Sequence, residues 1–125
     1  MNSFYAVKAI SIPTDADEVS EPAVFHVLCD ERSMPVPGIF ITGISGDLKD
    51  SHDRCPFIIL PDGRGDYGAA CDGEPDRFFG TNFRSKRIAK GELFSVQYVD
   101  TDRASKEFEA TYKITDVTLL AGHPN

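Results

Sequence analysis

The sequence has no tryptophan and only three cysteines, Cys29, Cys55 and Cys71. Three thiols cannot all pair with one another. A chain of 125 residues can bury a core without covalent staples. A disulfide scaffold is therefore excluded as the organising principle, and the three cysteines are expected to be reduced. Cys29 ends the apolar run that begins at Val24 and reads as a small hydrophobe in a core. Long apolar runs are also missing. Phe57-Ile-Ile-Leu60 is among the longest, against the roughly 20 residues of a membrane-spanning helix. Met1–Lys8 has no basic segment leading into an apolar one, so no signal peptide is read. The expectation is no membrane and a cytoplasmic location.

Positive charge is in short supply. Thirteen Lys and Arg stand against 20 Asp and Glu, a net charge of −7. The imbalance is uneven. Residues 1–76 hold 14 acids and 5 bases, whereas residues 77–125 hold 6 acids and 8 bases. A net-acidic chain repels phosphates at long range, which disfavours nucleic acid as a partner. Also absent are an internal repeat, a low-complexity tract and any segment with a 3.6-residue apolar period.

What is present is a period of two. In Leu93–Asp100, Phe94, Val96 and Tyr98 alternate with Ser95 and Gln97. In Lys106–Leu120, Phe108, Ala110, Tyr112 and Ile114 alternate with Glu107, Glu109, Thr111 and Lys113. Two such runs around a polar turn predict an antiparallel hairpin, and the rest of the chain is organised around it. Further strands are predicted at Phe4–Ile12, whose two apolar faces imply a well-covered strand, and at Ala23–Cys29. Others follow at Ile39–Ile44, with Gly43 marking a bulge or bend, at Pro56–Leu60, and at Arg77–Phe83. The count is seven or eight strands in one domain spanning 1–125. The fold class is all-β, a small closed or partly closed antiparallel β-barrel, with a β-sandwich as the alternative.

Function is far less legible. His26 lies inside a strand without an acid or cysteine at metal spacing and reads as structural. Pro61–Asp76 carries four glycines and two prolines in 16 residues, so a long helix or central strand there is excluded. Long irregular loops often carry function, which makes Asp62, Arg64 and Asp66 candidate binding residues. The run Asp62–Asp66 lacks the spaced acids of a calcium loop, and no Cys-x-x-Cys or paired histidines occur. No metal and no cofactor is expected. Arg64-Gly-Asp66 matches an adhesion tripeptide too short to carry weight.

Arg77–Lys90 interleaves phenylalanines with bases, a composition suited to stacking bases and holding phosphates. The plainer reading sends Phe79 and Phe83 to the core and leaves Arg84, Lys86 and Arg87 in water or beside the acidic half. Those three complete the candidate binding set. The favoured reading is a non-enzymatic binding protein that self-associates, in the simplest case as a homodimer. A second is a ligand-binding or catalytic barrel with a mouth lined by His52, Cys55, Asp66 and Cys71. A third is an acidic inhibitor that covers a basic protein partner. Nucleophilic and phosphate-cradle signatures are missing, so catalysis has no support.

Overall fold

In the computed structural model, residues 2–14, 20–46, 55–67, 76–100 and 106–122 are described, with the backbone alone for 67, 76–79, 100 and 106. Among them there are eight strands, a single 3-10 turn at Phe83–Ser85, and no α-helix. The strands are β1 (Ser3–Ser11), β2 (Pro22–Cys29), β3 (Ile41–Ser45), β4 (Cys55–Ile59), β5 (Gly65–Tyr67), β6 (Asp76–Thr81), β7 (Leu93–Asp100) and β8 (Lys106–Ala121).

They form one antiparallel sheet in the order β5-β4-β3-β2-β1-β8-β7-β6. Its two ends meet. Arg64 bridges Gly80, and the Thr81 N–H donates to the Gly63 carbonyl at 3.0 Å. The sheet is thus curled into a nearly closed barrel, and the sandwich alternative falls away.

The predicted hairpin is the most regular part. Leu93 pairs with Lys113, and pairing continues to Asp100 opposite Lys106. Phe94, Val96 and Tyr98 from β7, with Tyr112 and Ile114 from β8, are buried. Phe108 departs from this pattern. It is 39% exposed and lies against Tyr98 with ring centroids 5.2 Å apart.

β8 is long because it serves two neighbours. Its first half pairs with β7. Its second half, from Tyr112 onward, pairs with β1 up to Ala121 opposite Phe4. Register shifts at Phe4/Tyr5 and Lys8/Ala9 bend it around the barrel.

The interior is aromatic. Phe25 stacks on Phe83 with centroids 4.4 Å apart and meets Phe57 and Phe94 edge-on at 5.0 and 5.4 Å. Such pairs contribute about 0.5–1.5 kcal/mol each beyond burial. Phe83 is reached by a turn rather than a strand, so the 3-10 segment works as a plug. Asn82 Oδ1 accepts the Ser95 N–H at 2.8 Å and holds that turn on β7.

Four expectations need correction. Gly43 makes no bulge, since β3 pairs continuously with β2 and β4. It is glycine because the Phe57 ring and the Val24 carbonyl lie 2.4 Å from where a Cβ would stand. Ile39 and Phe40 precede β3 and are 43% and 55% exposed. The outer face of β1 is open, with Phe4, Ile10 and Ile12 exposed. Finally, Cys55 is disulfide-bonded rather than reduced. Cys29 is free and buried, as a packed hydrophobe should be.

Candidate functional site

The irregular stretch after β4 begins as a tight hairpin. The Gly63 N–H donates to the Leu60 carbonyl at 2.9 Å, and the Leu60 N–H donates to the Arg64 carbonyl at 2.8 Å. Pro61 presets the turn, and Gly63 supplies the positive φ of +92° that it requires. Asp62 locks it. Its Oδ1 accepts the Arg64 N–H at 3.0 Å, and its Oδ2 accepts Arg64 Nε at 2.7 Å. The Arg64 backbone N–H and then its guanidinium hold the Asp62 carboxyl below the ordinary carboxylate value. Both side chains are largely exposed, so the ion pair itself adds little stability. The pair shapes the hairpin, with both Asp62 carboxylate oxygens and the Arg64 Nε engaged in it.

Arg84 has a similar fate. Its Nε donates to the Leu60 carbonyl at 2.8 Å. Its Nη2 donates to the Ile59 carbonyl at 3.1 Å and also to the Ile39 carbonyl. One guanidinium thus ties the Phe83 plug to the end of β4 and to the segment before β3. Burial lowers its pKa, with the nearby Asp62 charge pulling the other way. The sequence reading of Arg84 as a solvated or acid-paired base does not hold. It is a structural clamp on three carbonyls.

The rest of the basic strip is anchored by Ile88, which is buried and whose N–H donates to the Ser33 carbonyl at 2.8 Å. Arg87 and Lys90 stay exposed and Lys86 is half-buried. The predicted set therefore divides. Asp62, Arg64 and Arg84 hold the closing seam together. Lys86, Arg87 and the exposed Asp66 on β5 face solvent. His52 and Cys71 lie outside the described residues. Cys55 starts β4 and is half-buried, while Asp66 pairs with Ile58 near the other end of that strand. The structure does not bring these two together.

Aromatic and aliphatic side chains pack the described barrel interior. The cavity between Phe25, Phe57, Tyr98 and Tyr112 has a volume of about 10 Å³, the room of one water. Tyr98 and Tyr112 hydrogen-bond there through their hydroxyls at 2.9 Å. A shallow hollow of about 290 Å³ lies at the surface against Asn2, Asp30, Glu31 and Arg32. Asp30 Oδ1 already accepts the Arg32 and Met34 N–H groups at 2.8 and 3.1 Å. Among the described residues no three His, Cys, Asp or Glu side chains gather, and no helix is long and apolar enough to cross a membrane.

The most distinctive surface is one the sequence reading passed over. Outward residues of β1–β4 align in cross-strand rows. Phe4 lies beside Leu28. Ala6, His26, Thr42 and Ile58 follow one another across four strands, and Lys8, Val24, Ile44 and Pro56 do the same. Val24, Leu28, Ile44 and Ile58 are only half-buried, and Phe40 beside this face is 55% exposed. His26 belongs to this outer face and not to the core. The signal was in the sequence as the two apolar faces of β1. Two covered faces were inferred where only one is covered. Comparison with protein-family models, with curated proteins and with solved structures finds no match to this chain.

Proposed function

We propose that this chain is a non-enzymatic binding protein whose occupant is first of all a second copy of itself. The observation that carries the reading is the uncovered apolar outer face of β1–β4. A face built from Phe4, Leu28, Phe40, Ile44 and Ile58 costs free energy while it stays wet. Its few polar members, Lys8, Thr42 and His26, stand among apolar neighbours, as in the core of an interface. A packed interior supports the same reading. A small-molecule site ordinarily needs about 300–1,000 Å³ of enclosed space, and the cavity between Phe25, Phe57, Tyr98 and Tyr112 has room for one water.

The bond at Cys55 is at odds with the cytosolic setting read from the sequence, where thiols are kept reduced. It supports an oxidising compartment.

The test is solution mass by sedimentation over a wide concentration range, with Phe40→Asp as the probe. Phe40 lies outside the strands and is more than half exposed, so its loss leaves the fold intact. Burying a Phe contributes about 1.5–3 kcal/mol, so the variant should weaken association by about tenfold or more. A wild-type protein that stays monomeric at the highest concentration reached sinks the proposal.

A further inference from the structure

His26 sits in the middle of the outer face of β1–β4. Its neighbours Phe25 and Val27 are buried in the core, so the alternation of β2 sends the imidazole outward. Val24 and Leu28 lie two positions away on either side of it along β2. Ala6 stands opposite it on β1, and Thr42 stands opposite it on β3. Paired strands are about 4.8 Å apart, so small or apolar side chains flank the half-buried imidazole in all four directions.

Charged groups around it are few among the described residues. The nearest is Lys8, one row away on β1 beside Val24. Asp116 on β8 lies opposite Lys8, two strands from His26. On the other flank, the rows across β3 and β4 hold Thr42, Ile44, Pro56 and Ile58, and the next charge is Asp66 on β5, opposite Ile58. Past the end of β2, Asp30 has its Oδ1 engaged by the Arg32 and Met34 N–H groups. A proton on His26 therefore meets a positive neighbour before it meets a negative one.

We propose that His26 is a pH switch on self-association, in which the neutral imidazole fits the interface and the imidazolium breaks it. The proposal rests on the self-association reading and adds its regulation. The charges on the page favour a second copy as the occupant. Lys8 and Asp116 put one charge of each sign side by side at the β1–β8 border of the face, and a face with both signs can complement itself. The rows between are uncharged, which is where two copies at −7 approach with least repulsion. An isologous contact centres the patch on the two-fold axis, where a residue meets its own copy. His26 of one copy then lies against His26 of the other or its immediate neighbours. Neutral imidazoles are tolerated there. Two imidazoliums in a dry contact, each one row from a Lys8, repel one another and lose their hydration.

The sign of the effect is distinctive. A histidine side chain ordinarily gains its proton at about pH 6.5. The dimer favours the neutral form, so association is at full strength above that pH and is lost as pH falls below it. The overall charge predicts the reverse, because acidification brings a net-acidic chain toward neutrality and lets its copies approach.

Sedimentation at pH 7.5 and pH 5.5 tests it, comparing wild type with His26→Gln and His26→Leu, which have no proton to gain at this position. Each imidazole kept neutral in the dimer raises Kd by about tenfold one unit below the ordinary histidine value. The wild-type association should therefore weaken by about ten- to a hundredfold at pH 5.5. Both variants should associate at pH 5.5 as well as at pH 7.5 or better, and an acid effect on the fold at large would show in them too. Wild type that associates as tightly at pH 5.5 as at pH 7.5, or a variant that keeps the acid loss, overturns the switch and leaves self-association standing. A wild-type protein that is monomeric at both pH values overturns both.

Discussion

Replacing Arg84 by Met tests whether the basic strip is a docking surface or part of the barrel's closure. The substitution keeps the aliphatic stem and removes the guanidinium. Three carbonyls, those of Ile39, Ile59 and Leu60, lose their donor at once. A hydrogen bond to a charged group contributes about 1.5–3 kcal/mol when buried. Arg84 is only half-buried, so each bond sits at or below the bottom of that range, and water replaces part of what is lost. The loss should be about 2–4 kcal/mol in total. For a domain of this size, 1 kcal/mol moves the melting temperature by about 4 °C, so Arg84→Met should melt roughly 8–16 °C lower. Arg84→Lys should recover less than half, since a point ammonium cannot span carbonyls that a planar fork reaches. The control is Arg87→Met, an exposed residue, expected to stay within about 0.5 kcal/mol. Urea and thermal denaturation followed by circular dichroism read all three. Equal stabilities for Arg84→Met and Arg87→Met would refute the clamp and return Arg84 to the set of free surface bases.

The remaining predictions concern packing and thiols. Gly43→Ala should destabilise by about 1–3 kcal/mol, because the new methyl meets a backbone carbonyl and a ring that cannot both retreat; this outweighs the about 0.5–1 kcal/mol that alanine ordinarily gains over glycine in a strand, and a variant as stable as wild type contradicts it. Burial, with Asp30 adding to it, pushes the Cys29 thiol up to about 12. The native state thus favours the protonated form, and that contribution is complete below the ordinary thiol pKa of 9.0 and is lost as pH rises from there toward about 12. Denaturation at pH 8 and pH 10.5 should show a steeper alkaline loss in wild type than in Cys29→Ala, and parallel losses contradict it. Because Cys55 is disulfide-bonded, a phosphine reductant should lower stability by about 2–4 kcal/mol, and an unmoved melting curve rules that out.

Periodicity made the architecture legible. The alternation in Leu93–Asp100 and Lys106–Leu120 sets their pairing, because a slip of one residue turns every core side chain to water. Phe83 was harder to place. Its core position depends on a 3-10 turn, and the composition around it resembles a nucleic-acid surface equally well. Arg84 was misread for a related reason: sequence records a charge but not the three carbonyls that converge on it, which come from residues 24, 25 and 45 positions away. Pro61-Asp-Gly63 spells a turn in its own residues, yet the count of glycines around it drew attention to the loop as a site. Cys55 shows the limit of counting thiols, since an odd total does not keep two of them from joining.

The pairing of Phe4 with Ala121 joins the first strand of the barrel to the last. Nothing nearer along the chain offers β1 that second neighbour. That ladder therefore joins residues almost the whole length of the polypeptide apart, at the entropic cost of a long loop. Folding should be slow, in the range of milliseconds to seconds typical of sheets with distant partners. A chain emerging from a ribosome must hold the β8 side of Val7 and Ala9, both buried in the fold, uncovered until β8 has been made, and during that interval its vulnerability to sticking is greatest.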